Sequence, residues 1–167
     1  MTGEENIVLI GMPGAGKSTV GVLLAKATAR SFLDTDVWIQ ARQGRSLQEI
    51  LDQDGMEAFC DLEARHVLDL DVHAHVIATG GSVVYRDKAM SHLAAGGRIV
   101  YLRLPFEPLQ RRVTNLATRG VVLPEGQSFR ELFDRRQALY ERWAHITLDC
   151  ENKTQDTLAA NIAQSLQ

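Results

Sequence analysis

The sequence predicts an α/β fold, a three-layer arrangement in which a five-stranded parallel sheet carries helices on both faces. Three observations carry this prediction. Short β-rich apolar runs alternate with longer stretches of helical period along the chain. The first run, Ile7-Val8-Leu9-Ile10, leads straight into Gly11-Met12-Pro13-Gly14-Ala15-Gly16-Lys17-Ser18, a complete G-x-x-x-x-G-K-[ST] loop. A helical stretch follows at once, so strand, loop and helix succeed one another as a phosphate-binding unit requires.

Strands are expected at 7–10, 31–33, 75–79, 98–104 and 146–149, the last short enough to be an edge strand. Helices are expected at 18–29, 37–42, 47–53, 56–71, 87–95, 108–113, 128–144 and 154–166. Ser46 with Glu49, and Ser128 with Glu131, have the spacing of capping boxes, and Gly96-Gly97 should stop the helix before the fourth strand. Residues 115–127 hold Arg119, Gly120, Pro124 and Gly126 without either periodicity. A connection of that length next to a nucleotide loop is expected to be a mobile lid.

At 167 residues and 45% hydrophobic, the chain fits one domain spanning 1–167, so donor and acceptor must share one cleft. A formal net charge of −3 argues against a nucleic-acid or membrane-surface partner, which usually demands a basic face. The acidic start, Met1-Thr2-Gly3-Glu4-Glu5-Asn6, has no signal-peptide character, and no apolar run approaches the ~20 residues of a membrane span. A cytoplasmic monomer acting on small molecules is expected. Cys60 and Cys150 should be free thiols, and His66, His73, His75 and His92 lack partners at metal-ligand spacing.

The loop glycines Gly11, Gly14 and Gly16 let the backbone curl with its amides inward around phosphates. Gly11, Gly14, Ala15, Gly16, Lys17, Ser18 and Thr19 form the expected nucleotide-binding set. Lys17, expected at the loop surface, would reach the β- and γ-phosphates of ATP, and the Ser18 hydroxyl would ligate Mg²⁺. Asp34-Thr35-Asp36 follows the second strand at the same edge of the sheet. One of its carboxylates can help place Mg²⁺ and the other can steer an acceptor hydroxyl, although a plain helix N-cap explains an Asp here equally well. The third strand ends in Thr79-Gly80-Gly81-Ser82, where glycines permit a close ligand.

The order and spacing of these three edge elements resemble the shikimate kinase family, and the resemblance extends over nearly the whole chain. Phe32 to Asp36, Gly44-Arg45-Ser46-Leu47 with Glu49-Ile50, Gly55 with Phe59 and Glu63, and Arg136 with Leu139-Tyr140 all fall where that family's pattern has them. The resemblance implies a nucleoside-monophosphate-kinase-like fold in which the γ-phosphoryl of ATP passes to the 3-hydroxyl of shikimate. It implies Lys17 and Ser18 on phosphate and Mg²⁺, and Asp34 as the magnesium aspartate. It further implies Asp36 on the substrate hydroxyls, Gly80 and Gly81 in the substrate-contacting turn, and Arg136 on the substrate carboxylate. Arg111 resembles the adenine-stacking arginine, with Arg112 the alternative register, and Arg119 the lid arginine. Lys17, Asp36 and Arg119 are thus the expected catalytic residues.

The pattern breaks on the acceptor side. The family's arginine after Phe59, a carboxylate ligand, is Cys60; the usual Gly-Glu is Gly55-Met56; the third glycine of the turn is Ser82; and the lid continues Gly120-Val121-Val122 after Arg119. Either another cation such as Arg65 compensates, or the acceptor is a polyol or sugar-like metabolite without a carboxylate. A nucleotide-binding regulatory module without turnover is a further reading. A nucleophilic role for Cys60 has no adjacent base to support it.

Overall fold

The computed structural model describes residues 4–114 and 127–166. β1 (Asn6–Ile10) is buried along its whole length, as an apolar run covered on both faces must be. β2 (Ser31–Asp34), β3 (His75–Ala78), β4 (Gly97–Arg103) and β5 (Ile146–Asp149) join it in one sheet of order β2-β3-β1-β4-β5. All four pairings are parallel. β2 and β5 are the edges and are only partly buried, which is why their sequences mix Ser, Thr and Asp with apolar residues. The strands expected from sequence are all present, each within one or two residues of its predicted bounds.

The helices α1 (Lys17–Thr28), α2 (Thr35–Gln43), α3 (Leu47–Leu68), α4 (Asp87–Gly96), α5 (Phe106–Thr114), α6 (Phe129–Trp143) and α7 (Gln155–Ser165) flank the sheet, with a 3₁₀ turn at Val83–Tyr85. Both capping boxes form, Ser46 with Glu49 and Ser128 with Glu131. The two helices expected at 47–53 and 56–71 are the halves of α3, separated by a kink at Gly55 with φ 81° and ψ 169°. Only glycine adopts that backbone conformation without strain.

Two hydrophobic clusters build the molecule. The large one packs β1, β3 and β4 against α1, α4, α6 and α7, with Tyr101 stacked on Tyr140 at its centre. The small one, Ile39, Ile50 and Phe59 with Leu47, Leu51, Met56 and Leu62, ties α2 to α3. The second half of α3 carries Glu63 to the turn after β3. In this strand order β1 sits at the topological switch, with β3 on one side and β4 on the other, so a crevice opens outside its carboxyl end.

Candidate active site

The loop after β1 is built as its glycines require. Gly11, Gly14 and Gly16 have φ of 147°, 81° and 97°. A Cβ on Gly11 would also stand 2.8 Å from the Leu102 carbonyl of the neighbouring strand. Gly16 caps α1 without a side chain, leaving the first amides of the helix directed into the crevice.

Lys17 corrects the sequence reading. It is not a loop-surface residue: only 9% of it is exposed, and its Nζ donates to the carbonyls of Gly11 and Met12 at 2.8 and 3.0 Å. The loop wraps around the ammonium it was expected merely to carry. Burial pushes its pKa down to about 8, against the opposing pull of Asp36 and Asp34.

Asp34 is the helix N-cap that the sequence allowed, and it is also bonded to Ser18 of the phosphate loop. Its Oδ1 caps α2 by accepting from the amides of Asp36 and Val37, at 3.0 and 3.3 Å. Its Oδ2 accepts from Ser18 Oγ at 2.6 Å. One carboxylate thereby links the end of β2 to the start of α1 and leaves a hydroxyl beside a carboxylate at a helix N-terminus, two hard oxygen donors suited to Mg²⁺ held jointly with phosphates. Among the described residues no group of three or more His, Cys, Asp or Glu side chains forms a metal cluster.

Asp36, in the first turn of α2, brings its Oδ1 beside Gly80 with no hydrogen-bond partner among the described residues. Burial, reinforced by the charge of Asp34 and opposed by Lys17, raises its pKa to about 6. Facing it is the turn after β3. Thr79 is pinned to β1 through the Leu9 carbonyl, and Gly80 N donates to Thr35 Oγ1 at 3.1 Å. Tyr140 OH donates to the Gly81 carbonyl at 2.7 Å. Substituting either glycine would fill the cleft. A Cβ at Gly80 would run into Glu63 Oε1 and lie 2.7 Å from Asp36 Oδ1, and one at Gly81 would lie 2.8 Å from Arg136 Nη1.

Arg136 is 4% exposed on α6, with its Nε donating to Tyr85 OH at 3.1 Å and its guanidinium over the Tyr85 ring. It is a fixed cation across the turn from the two carboxyls. Glu63, from the second half of α3, completes the cleft: Ser82 Oγ donates to its Oε2 at 2.6 Å, while its Oε1 lacks a donor among the described residues. Burial, helped by the charge of Asp36 and opposed by the Ser82 hydrogen bond, lifts its pKa to about 7.

Arg65 does not take the place of an arginine at position 60. Two residues beyond Glu63 it has turned some 200° around the helix, and it lies exposed in an outer groove with Asp61, Arg86 and Lys88. Arg86 is spent on Glu57 and Asp61, each at 2.8 Å. Cys60 is a free, buried thiol whose pKa burial and the nearby Glu63 push up to about 11, the opposite of an activated nucleophile.

On the donor side Arg112, the alternative register, donates to the Gly14 carbonyl at 3.1 Å. Arg111 and Arg112 both border an open depression of about 330 Å³ with Pro108, Asn152 and Lys153. Thr19 and Ser18 are exposed at the start of α1, and Ala15 is buried beneath the loop. Arg119 and the expected lid, apart from Gln127, lie outside the described residues.

Sequence reasoning did not single out Thr35, Ser82 or Tyr85 as site residues, and Glu63 and Tyr140 entered only as parts of a family pattern. The signal for Ser82 was present, since it stands where the resemblance expects a glycine. Tyr85 gave none, because its partner Arg136 lies 51 residues further along the chain.

A family model described as shikimate kinase matches residues 13–167. A shikimate kinase of Paracidovorax citrulli is 37% identical, covering 98% of this chain and 93% of that protein. One of Thermobifida fusca is 35% identical, covering 99% and 97%. Among solved structures, a shikimate kinase from Acinetobacter baumannii in complex with shikimate superposes with a TM-score of 0.89 at 33% identity, covering 97% of this chain and 92% of that one. A sugar kinase from Janibacter, 18% identical with a TM-score of 0.62 over 97% of this chain and 94% of that one, shares the fold.

Proposed function

This chain belongs to the shikimate kinase family, and from that premise we propose that it transfers the γ-phosphoryl of ATP to a hydroxyl of shikimate, a step of aromatic amino-acid biosynthesis. One observation carries the reading: a phosphate loop with its buried lysine, a partnerless Asp36 carboxyl and a buried Arg136 all face one crevice, the Arg136 guanidinium against Gly81. Phosphate, hydroxyl and carboxylate each have a complementary group there.

In the reaction the acceptor hydroxyl oxygen bonds to the γ-phosphorus, the bond from that phosphorus to the β–γ bridging oxygen breaks, and ADP leaves. Asp36 holds the hydroxyl and accepts its proton, which its elevated pKa suits it to do near neutral pH. Lys17, held at the loop mouth by two carbonyls, exchanges them for phosphate oxygens and meets the charge that develops on the transferring group. Ser18 and Asp34 would hold Mg²⁺, which neutralises phosphate charge when bound. The amides of Gly14, Ala15, Gly16, Ser18 and Thr19 cradle the phosphates, and Arg111 with Arg112 flanks the base. Arg136 takes the acceptor carboxylate beside Gly80 and Gly81. By the resemblance, Arg119 covers the phosphates.

The test is ADP release from ATP and Mg²⁺ with shikimate, and with quinate, sugars and cyclitols as competing acceptors. Shikimate should be the efficient acceptor, and Lys17→Ala should remove its turnover. Turnover of a carboxylate-free polyol with shikimate inert would overturn the acceptor assignment, and no turnover of any acceptor would point to a binding module.

A further inference from the structure

Two buried carboxyl oxygens converge beside the Gly-rich turn, Asp36 Oδ1 and Glu63 Oε1, and neither meets a hydrogen-bond donor among the described residues. Both lie within 3.0 Å of one point, the place a Cβ on Gly80 would occupy, so any side chain at that position would collide with both. Glu63 is not loosely held, because Ser82 Oγ fixes its other oxygen at 2.6 Å and thereby sets where Oε1 points. Among the described residues no salt-bridge partner draws it away: position 60, nearly one turn before it on α3, is a cysteine, and Arg65 and Arg86 lie on the outer groove. Arg136 approaches the turn at Gly81, not at Gly80. The turn therefore has a cationic end and, one residue away, an end lined by two carboxyls.

We propose that Glu63 contacts the acceptor directly and determines specificity, its Oε1 and Asp36 Oδ1 forming a two-carboxyl clamp on neighbouring hydroxyls, one of them the hydroxyl that is phosphorylated. This rests on the proposed acceptor and deepens it. Hydroxyls supply the donors that both oxygens lack, and two of them on adjacent ring carbons can reach both at once where a lone hydroxyl cannot. The chain would thereby recover through hydroxyl contacts the binding that a second arginine on the carboxylate would give. Burial fits the reading, since it raises the pKa of Glu63 to about 7, the group being faced by Asp36 from α2, Lys17 from α1, Arg136 from α6 and Ser82 from the turn. Hydrogen bonding to a hydroxyl is then available in either protonation state.

The test is a cycle between Glu63 and the acceptor. kcat/KM is measured for shikimate and for analogues in which one or the other non-reacting hydroxyl is replaced by hydrogen, with wild type, Glu63→Gln and Glu63→Ala. Glu63→Gln keeps the volume and the Ser82 hydrogen bond but turns Oε1 into an amide donor aimed at Asp36, closing the clamp on itself. In wild type one analogue should lose roughly 10- to 150-fold, the range for a hydrogen bond to a charged group. In both variants shikimate itself should lose a similar factor, and discrimination against that analogue should shrink to a few-fold, with the KM for ATP unchanged. Glu63→Gln, if folded by its melting transition, suffices should Glu63→Ala not fold. Equal discrimination in wild type and variants would show Glu63 to be structural only and sink the clamp alone. Inactivity of the wild type towards shikimate would instead remove the acceptor assignment and the clamp with it.

Discussion

The proposed reaction relies on Asp36 and Lys17, and burial moves their pKa values toward one another, Asp36 up to about 6 and Lys17 down to about 8. The aspartate works ionised and the lysine protonated. kcat/KM should therefore rise with pH through about 6 and fall through about 8. Since Asp36 and Glu63 interact, the acid limb is a property of the pair. Asp36→Asn should lower the plateau by roughly 10²-fold or more, the range for a lost general base, with little change in ATP affinity. Equal loss of ATP binding would move Asp36 to the donor side. Cys60 invites the opposite expectation. Both cysteines are buried, with thiols pushed up to about 11 by burial. Iodoacetamide at pH 7.5 should leave the native protein unlabelled and active by mass spectrometry and assay, while the denatured chain takes up label at both positions. Rapid labelling of native Cys60 with loss of activity would contradict its placement.

At the scale of elements, the kink at Gly55 divides α3, and the half beyond it carries Glu63. Gly55 has φ 81° and open space around the position of a Cβ, so any cost of Gly55→Ala comes from the backbone alone. That cost should be about 1–3 kcal/mol, read from denaturant unfolding. The KM for the acceptor should rise while that for ATP stays near wild type, because the small cluster under α2 and α3 shifts and the phosphate loop does not. A uniform rise in both would mean the kink supports the whole crevice. The Ser46 and Ser128 caps fix where the two acceptor-side helices α3 and α6 begin, and both were legible from spacing because a capping box is a purely local device.

For the molecule as a whole, the acceptor cleft is a stability liability. Glu63 has its pKa raised from 4.5 to about 7, so between those values the folded state binds a proton that the unfolded state has released. Stability from this group is thus intact at low pH and is lost as pH rises toward and through about 7. Glu63→Gln, uncharged throughout, should raise the melting temperature at pH 8 and leave it nearly unchanged at pH 4.5. A variant less stable than wild type at both pH values would indicate that the Ser82 hydrogen bond depends on the carboxylate. No helix among the described residues is long and apolar enough to cross a membrane, and the packed sheet with its flanking helices accounts for the large apolar fraction.

The sequence by itself determined the class, the strands and the phosphate loop, for a physical reason common to all three. Ile7 to Ile10, the glycines of the loop, Lys17, Ser18 and the two capping boxes act through the local chain: period, backbone conformation and fixed spacing along one segment. Asp34 was half legible, since its cap is local and its bond to Ser18 joins the end of β2 to the start of α1. What only the tertiary structure decided is the acceptor cleft, where α2, α3, α6 and the turn after β3 each contribute one or two side chains from distant points of the chain. Arg65 and Glu63 are two residues apart, and no spacing rule says which of them faces the crevice. The packing of Ile39, Ile50 and Phe59 decides it, and burial among groups brought together by that packing sets the protonation of Asp36, Glu63 and Lys17.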